Sequence, residues 1–567
     1  MKARNTSALR HRIRKSIPVV AIAAALATGF QAQAAELHAV RVANVPEAVA
    51  AGQARRLAPL AQEQNLRLGL VLPLRNEAEL DALLKDLQDP RSPNYHQYLT
   101  NEAFTERFGA SAADYAEVVR WAQAKGLTVT GTTSNRHVVD VSGPVAAINR
   151  AFNVQLSRFQ HPTENRTFFA PDRAPTTDLR VPLLSIAGLT DATPKVTHLH
   201  HGSIPQHMDA IAHAKGSGVG GEYLPSDMRA AYYGSGPLTG TGQTVGIFSY
   251  DGYKKTDVTL FYSRTGMTST VPVRNVLVAG FSGKCAGGTR CDDGEQILDI
   301  VNVIGMAPGL RQVLFYEGDL ATDVLNRMVT DNIAKVISCS WGGGDFNNTA
   351  DDAIYKQMAA QGQTFLNATG DDGAYNNSTW IAPSLDANIL DVGGSVLTVV
   401  APGGAWKSET GWTGSSGGFW TNAHQAIPTW QKLAGVINTT NKGSTTLRND
   451  PDVSAEADYD NPTVSNGKFE TGYGGTSFAA PRWAGLLALA NQQSVAGHHG
   501  TVGFVNAKIY NMGVGTNYHN LFHDVTIGNN KPDIGAGAGF NAVANFDLVT
   551  GWGTPVGAAF INALVTP

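Results

Sequence analysis

The sequence predicts an α/β chain: a doubly wound parallel sheet with helices on both faces over residues 219–567, preceded by an α+β, ferredoxin-like domain over residues 36–190. Two observations carry this. The short, apolar, β-branched runs TVGIFS, QVLFYEG, AKVISCSWG and QTFLNATGD recur between helical stretches, the pattern of strands buried on both faces. Upstream, a strand, helices, two strands, a helix and a strand follow one another, the order of a split βαβ unit.

Each segment has its own reason. Residues 1–35 hold six basic residues (Lys2, Arg4, Arg10, Arg12, Arg14, Lys15), then IPVVAIAAALATGF, then AQAA. This reads as a signal segment cut near Ala34, its apolar core too short to span a bilayer. No other stretch approaches about 18 apolar residues, the length a spanning helix needs. A soluble, secreted protein is expected, crossing the periplasm in transit and without a membrane partner.

In residues 36–190, RLGLVLPLR reads as a strand and NEAELDALLKDLQDP as a helix with Asn76 as cap and a proline stop. AADYAEVVRWAQAKG is a second helix closed by Gly126, LTVTGTTSNRHVVDVSG a strand pair, PVAAINRAF a helix and NVQLSRFQ the last strand. Residues 191–218 carry His198, His200, His201, His207 and His213 among small residues, with no sustained period. An exposed, cleavable linker is expected there, and metal binding by the histidines is the other reading.

Lysine and arginine total 43 against 47 acidic residues, a net charge of −4. Residues 219–567 hold 19 basic and 29 acidic residues, which argues against a nucleic-acid partner. Sparse charge also suits acidic solvent, because few carboxylates must be protonated as pH falls. Of three cysteines, Cys285 and Cys291 flank the loop AGGTR and are expected to form a bridge, while Cys339 sits in an apolar run as a buried thiol. Without CxxC or HExxH, zinc is not expected.

The chemistry begins at TGYGGTSFAAP, residues 471–481, which leads into the helical RWAGLLALA. That turn presents Ser477 at a helix mouth, where backbone N–H groups point outward. A serine hydroxyl needs a base, commonly histidine. Yet His424, His498, His499, His519 and His523 lie in no Gly-rich, helix-opening loop. DDGEQILDIVNVIGMAP, residues 292–308, offers a substitute: Glu295 and Asp299 fall one turn apart on one helix face. The residues that follow are apolar on nearly all sides, and buried acids are costly unless used. A pair sharing a proton can have one pKa raised and one lowered, so Glu295 can serve as base to Ser477 with Asp299 orienting it. Solvated acids on a helix face are the alternative.

GEQILDI, SCSWGGG, ATGDDGA and GGTSFAAP, in this order along the chain and at approximately the family's spacing, resemble the motifs of the sedolisins, the serine-carboxyl peptidases, in precursor form. GTSxAxP alone would also fit subtilisins; the set together is specific. The resemblance implies a pro-kumamolisin-like activation domain (36–190), the linker (191–218) and a subtilisin-like catalytic domain (219–567). It makes Ser477 the nucleophile, Glu295 the general base and acid, Asp299 its partner and Asp371 the oxyanion donor. Asp371 can donate only when protonated. With an ordinary aspartate pKa near 3.9, activity at roughly pH 3–5 follows. Trp341 matches a tryptophan beside the site, and Gly417 and Gly418 resemble a substrate-binding edge strand.

FHDVTIGNN and AVANFDLVTGWGTP resemble the family's calcium site: carboxylates from Asp524 and Asp547, backbone carbonyls from Val525, Val543 and Asn545, holding one structural Ca2+. The family often has glycine where Val543 and Asn545 stand, which bears on loop geometry. The whole reads as a secreted acid endopeptidase made as an auto-activating zymogen. It would act as a monomer on polypeptide substrates, with its own pro-domain as partner. The cut is expected within residues 195–220, as acid protonates interface carboxylates and histidines and weakens their pairing. Two other readings share the fold: a neutral-pH Ser-His-Asp subtilase, which needs a histidine in an HGT-like loop, and a catalytically inactive binding protein.

Overall fold

The four apolar runs become the centre of one large sheet, because each can bury both faces only between helices. The computed structural model describes residues 36–42, 45–202, 216–285, 291–375, 382–421, 425–531 and 539–566. The expected signal segment, 1–35, and the linker stretch 203–215 lie outside the described residues. Strand order is Val273–Leu277, Gln312–Glu317, Thr244–Ser249, Val336–Cys339, Thr364–Ala368, Leu390–Val399 and Trp406–Gly411, with Val453–Glu456 also pairing to Leu390–Val399. Pairing is parallel throughout except at the edge strand Trp406–Gly411. Strand order reverses beside Thr244–Ser249, and the loops beyond the carboxyl ends of such strands are where sites form.

Two helices run against this sheet. Every residue of Gly294–Met306 is buried, as is every residue of Thr476–Ala496 through Asn491. They pack on each other in one core that includes Ile297, Ile300, Val301, Leu486 and Leu487. Pro481 inside the second helix has no N–H to give the carbonyl of Ser477 four residues earlier. Ser340 Oγ stands 3.5 Å from that carbonyl.

The N-terminal domain has a four-stranded antiparallel sheet ordered Thr128–Thr132, Val138–Pro144, Asn65–Val71, Ser185–Ala187. That is the ferredoxin-like order, with one correction. Leu156–Gln160, expected as the last strand, instead builds a separate three-stranded sheet with Arg55–Pro59 and Thr167–Pro171. The fourth place goes to Ser185–Ala187, three buried residues too few to show an alternation. Asn76 opens the helix Glu77–Gln88 without a side-chain cap; its amide donates to Arg107 O at 3.0 Å instead. Leu80, Leu83, Leu84 and Leu87 of that helix, with Phe104 and Phe108, join the core of the larger domain. The two domains are thus docked through apolar contact. Cys285 and Cys291 form the expected disulfide, and Cys339 is a buried free cysteine. No helix among the described residues is long and apolar enough to cross a membrane.

Candidate active site

Ser477 stands in the first turn of Thr476–Ala496. Gly475 before it has φ +137°, and a side chain there would overlap the carbonyl oxygen of His198 and crowd Asp371 Oδ2 at 2.5 Å. Only glycine permits that approach. Ser477 Oγ donates to Glu295 Oε2 at 3.0 Å. Asp299, one turn further along the helix, accepts from Ser340 Oγ at 2.7 Å. Ser477, Glu295 and Asp299 are 0%, 3% and 0% exposed, so the buried reading of this helix holds and the solvated one does not.

Burial pushes the Glu295 pKa well up, the Asp299 charge adds to this, and the Ser477 hydroxyl partly offsets it. Burial also lifts Asp299, against the pull of Ser340. The expected split, one raised and one lowered, is therefore not found. Both carboxyls are buried and act on each other, and a shared proton spares the site two negative charges. Asp299 Oδ2 has no hydrogen-bond partner.

Asp371 follows the strand Thr364–Ala368 at its carboxyl end, where the open sheet places functional loops. Its Oδ1 accepts from Thr476 N at 2.7 Å and Thr476 Oγ1 at 2.8 Å. Its side chain is 1% exposed, Oδ2 has no hydrogen-bond partner, and His200 Nε2 stands 3.6 Å away. Burial raises its pKa well above the usual range, with the Thr476 hydrogen bonds opposing. A buried carboxyl with an unused oxygen holds a proton readily and can donate it.

The linker is not free in solvent at this point. Lys195–Thr197 pairs antiparallel with Trp341–Gly343, Thr197 opposite Trp341. His198 N donates to Ser340 O at 3.2 Å, and Ser477 N donates to His198 O at 3.2 Å. His200–His201 then pairs antiparallel with Lys468–Gly474, His200 opposite Gly474. The His198 imidazole is buried, with Nε2 unpartnered, and burial pulls its pKa down to about 3. A chain held by main-chain pairing on both sides of one carbonyl is bound as a peptide substrate is. Main-chain pairing needs no particular side chains, so the sequence did not reveal it. Ser340 was also missed as the donor to Asp299, although it stands in the quoted SCSWGGG.

Trp341 lies beside the candidate site. Its backbone pairs with the linker, and its ring packs edge-on against Tyr250 at 5.6 Å and 85°. Among the described residues Gly417 and Gly418 do not pair with the linker: Gly417 bridges Ala374 and Gly418 bridges Asp450. Pairing in the cleft falls instead to the strands Trp341–Gly343 and Lys468–Gly474.

At the C-terminal loops, Asp524 accepts from Asn545 N at 3.1 and 3.2 Å. Asp547 is fully buried and accepts from Val543 N at 3.0 Å and from Val549 N and Thr550 N at 2.8 Å. Asn545 has φ +67°, a left-handed conformation that asparagine tolerates better than most residues. Among the described residues no group of three or more histidine, cysteine, aspartate or glutamate side chains gathers to hold a metal. Any ion here would draw on two carboxylates and on carbonyls.

The fold and site together define a class: a subtilisin-like serine hydrolase with a pro-domain seated on its cleft. Residues 52–188 match the pro-kumamolisin activation domain and residues 281–502 the subtilase family. Over 558 residues the chain is 31% identical to kumamolisin of Bacillus sp. (strain MN-32), spanning 91% of this chain and 96% of that protein. It is 29% identical over 576 residues to xanthomonalisin of Xanthomonas sp. (strain T-22), spanning 87% and 65%. Among solved structures it is similar to a Pseudomonas sedolisin, a serine-carboxyl proteinase complexed with two molecules of pseudo-iodotyrostatin. That match has a TM-score of 0.51 and 29% identity, and covers 62% of this chain and 98% of that one. The chain belongs to the sedolisin family of serine-carboxyl peptidases and carries the activation domain of a precursor. The Ser-His-Asp alternative falls with this, and among the described residues no histidine is hydrogen-bonded to Ser477 Oγ.

Proposed function

We propose that this chain is a secreted, acid-active endopeptidase precursor that cuts itself between His198 and Leu199. The observation that carries the reading is the hydrogen bond from Ser477 N to the His198 carbonyl, with paired strands on either side. Ser477 Oγ attacks the carbonyl carbon of His198 while Glu295 takes the hydroxyl proton, Asp299 sharing its charge. The oxyanion that forms accepts from Ser477 N–H and from protonated Asp371. On collapse the bond to the Leu199 nitrogen breaks, and that nitrogen takes the proton from Glu295. Water then releases His198 from the serine ester by the reverse proton path. Polypeptides bound in the same register after the pro-domain leaves would be cut in the same way. All these groups lie in one chain, which supports action as a monomer.

Export is read from the basic and apolar residues 1–35. Calcium fits the C-terminal loops on one observation. Among the described residues the carbonyls of Val525, Val543 and Asn545 accept no main-chain hydrogen bond, while Asp524 and Asp547 turn toward the loop that carries two of them. Oxygen donors alone suit a hard cation, which would brace these loops. No proton step of this reading is routed through the ion.

Acidifying the purified precursor and sequencing the new N-terminus tests the reading. A chain beginning at Leu199 is expected from the wild type and none from Ser477→Ala. Cleavage of Ser477→Ala at the same rate, or a wild-type cut far from residue 198, would overturn it.

A further inference from the structure

Resting on the reading of the linker as a bound substrate, a second feature of the cleft concerns specificity. Lys195 lies three residues before His198, opposite Gly343, and Gly344 N holds the preceding Pro194 carbonyl at 2.9 Å. The Lys195 side chain therefore occupies the subsite four residues before the cut. Its Nζ stands over the Tyr250 ring, 4.5 Å from the centroid. That ring is fixed: Tyr250 Oη lies 3.2 Å from both Gly343 O and Asp345 Oδ1, and Trp341 packs on its edge. A side chain at Gly344, φ +63°, would press on Lys195 Cγ at 3.0 Å, so glycine leaves room for the lysine stem.

Three carboxylates lie near enough to act on the ammonium through their charge. Burial lowers the Lys195 pKa, and Asp345, Asp319 and Asp251 oppose that, in this order. Asp345 Oδ1 is taken up by Ala321 N at 2.8 Å, but its buried Oδ2 has no partner. Asp319 also meets Arg67 of the pro-domain at 3.5 Å. Once the pro-domain departs, that competing cation is gone and the subsite is more acidic than in the precursor.

We propose that Tyr250, Asp345, Asp319 and Asp251 form a cation-binding subsite through which the mature enzyme selects lysine or arginine four residues before the cut bond. An aromatic face and clustered carboxylates recognise a cation irrespective of its exact geometry. The test uses mature enzyme from processed wild type at the alkaline edge of its active range, because burial raises the Asp345 pKa and its charge is lost in stronger acid. Internally quenched peptides would span residues 192–202, with position 195 as Lys, Arg, norleucine or Glu. Expected is a kcat/KM for Lys and Arg about fivefold or more above norleucine, with Glu lowest. Tyr250→Leu and Asp345→Asn should each bring the Lys-to-norleucine ratio toward one. Asp319→Asn, at a half-exposed position where folding is not at risk, should lower it in part. A wild-type ratio of one, or a ratio unmoved in all three variants, overturns the subsite while leaving the peptidase reading intact. Failure to cut any of the peptides overturns both, and cutting elsewhere than after His198 overturns the register on which the subsite depends.

Discussion

The role of Asp371 is the most exposed to test. Its Oδ1 is held by Thr476 N and Oγ1, and its buried Oδ2 is the oxygen left to donate. Burial raises its pKa, so the carboxyl is protonated in acid and stays so somewhat above the ordinary aspartate range. The donor is present at low pH and lost as pH rises through that raised value. Asp371→Ala removes it and should cost about 3 kcal/mol of transition-state stabilisation, roughly two powers of ten in kcat. It also strips the Thr476 N–H and hydroxyl of their acceptor, which costs about 1–3 kcal/mol of stability. Asp371→Asn is different: its oxygen can keep both Thr476 contacts while its amide donates at every pH. Activity within about tenfold of wild type in acid is expected, with a shallower fall on the alkaline side. The assay is kcat and kcat/KM on a quenched peptide from pH 2.5 to 7, each variant having been processed by added wild-type enzyme. Unchanged kcat in the alanine variant, or an asparagine variant as impaired as alanine at all pH values, would refute the reasoning.

Glu295→Gln keeps the size of the side chain but cannot take the Ser477 proton, so kcat should fall by about 10²–10⁴ and the precursor should stay uncut in acid, read on a denaturing gel. His198 sits neutral with its pKa depressed to about 3, so its seating is complete above pH 6.5 and weakens as pH falls toward that value. At pH 4 the loss is roughly 3 kcal/mol, and titration calorimetry of the cut pro-segment against the Ser477→Ala catalytic domain should show a steep pH dependence that His198→Leu flattens. Asp140 of the pro-domain and Asp323 are a mutually hydrogen-bonded buried pair whose pKa values burial raises, with Arg67 3.2 Å from Asp323. Their contribution to docking is full in acid, below the ordinary carboxyl range, and is lost as pH rises through the raised values. Asp140→Asn should therefore slow pro-domain dissociation at pH 7 in a surface-binding assay, and no change would argue against the shared proton. Chelation by EDTA should lower Tm by several degrees, since an ion at 100 times its Kd adds about 2.7 kcal/mol. Asp524→Asn should shrink that difference, and an unmoved Tm would remove calcium from the account.

The Asp140–Asp323 pair also qualifies the expectation that acid loosens the domain interface. That contact tightens in acid; the Arg67 ion pair and the buried His198 work the other way. A sequence lists the titratable residues, but not which of them face one another. The carboxylates of the candidate site were legible because helical spacing puts Glu295 and Asp299 on one face and the serine turn has a recognisable shape. The central sheet was legible because its strands are continuous apolar runs. Ser185–Ala187 escaped notice because three residues carry no period, and the cleft strands because what binds there is backbone. Gly417 and Gly418 carry a related ambiguity: glycine marks close approach, without saying what approaches.

The threading of residues 195–201 past Ser477 also fixes the kinetics of the first turnover. Reactive oxygen and target carbonyl are tethered in one molecule, so conversion should follow a first-order time course whose half-life does not change on dilution. The same tether means each molecule begins life with its cleft plugged by a rival to every outside peptide. On the proposed reading, export would proceed with the blade sheathed, and ambient acidity, rather than crowding, would set the moment at which it is drawn.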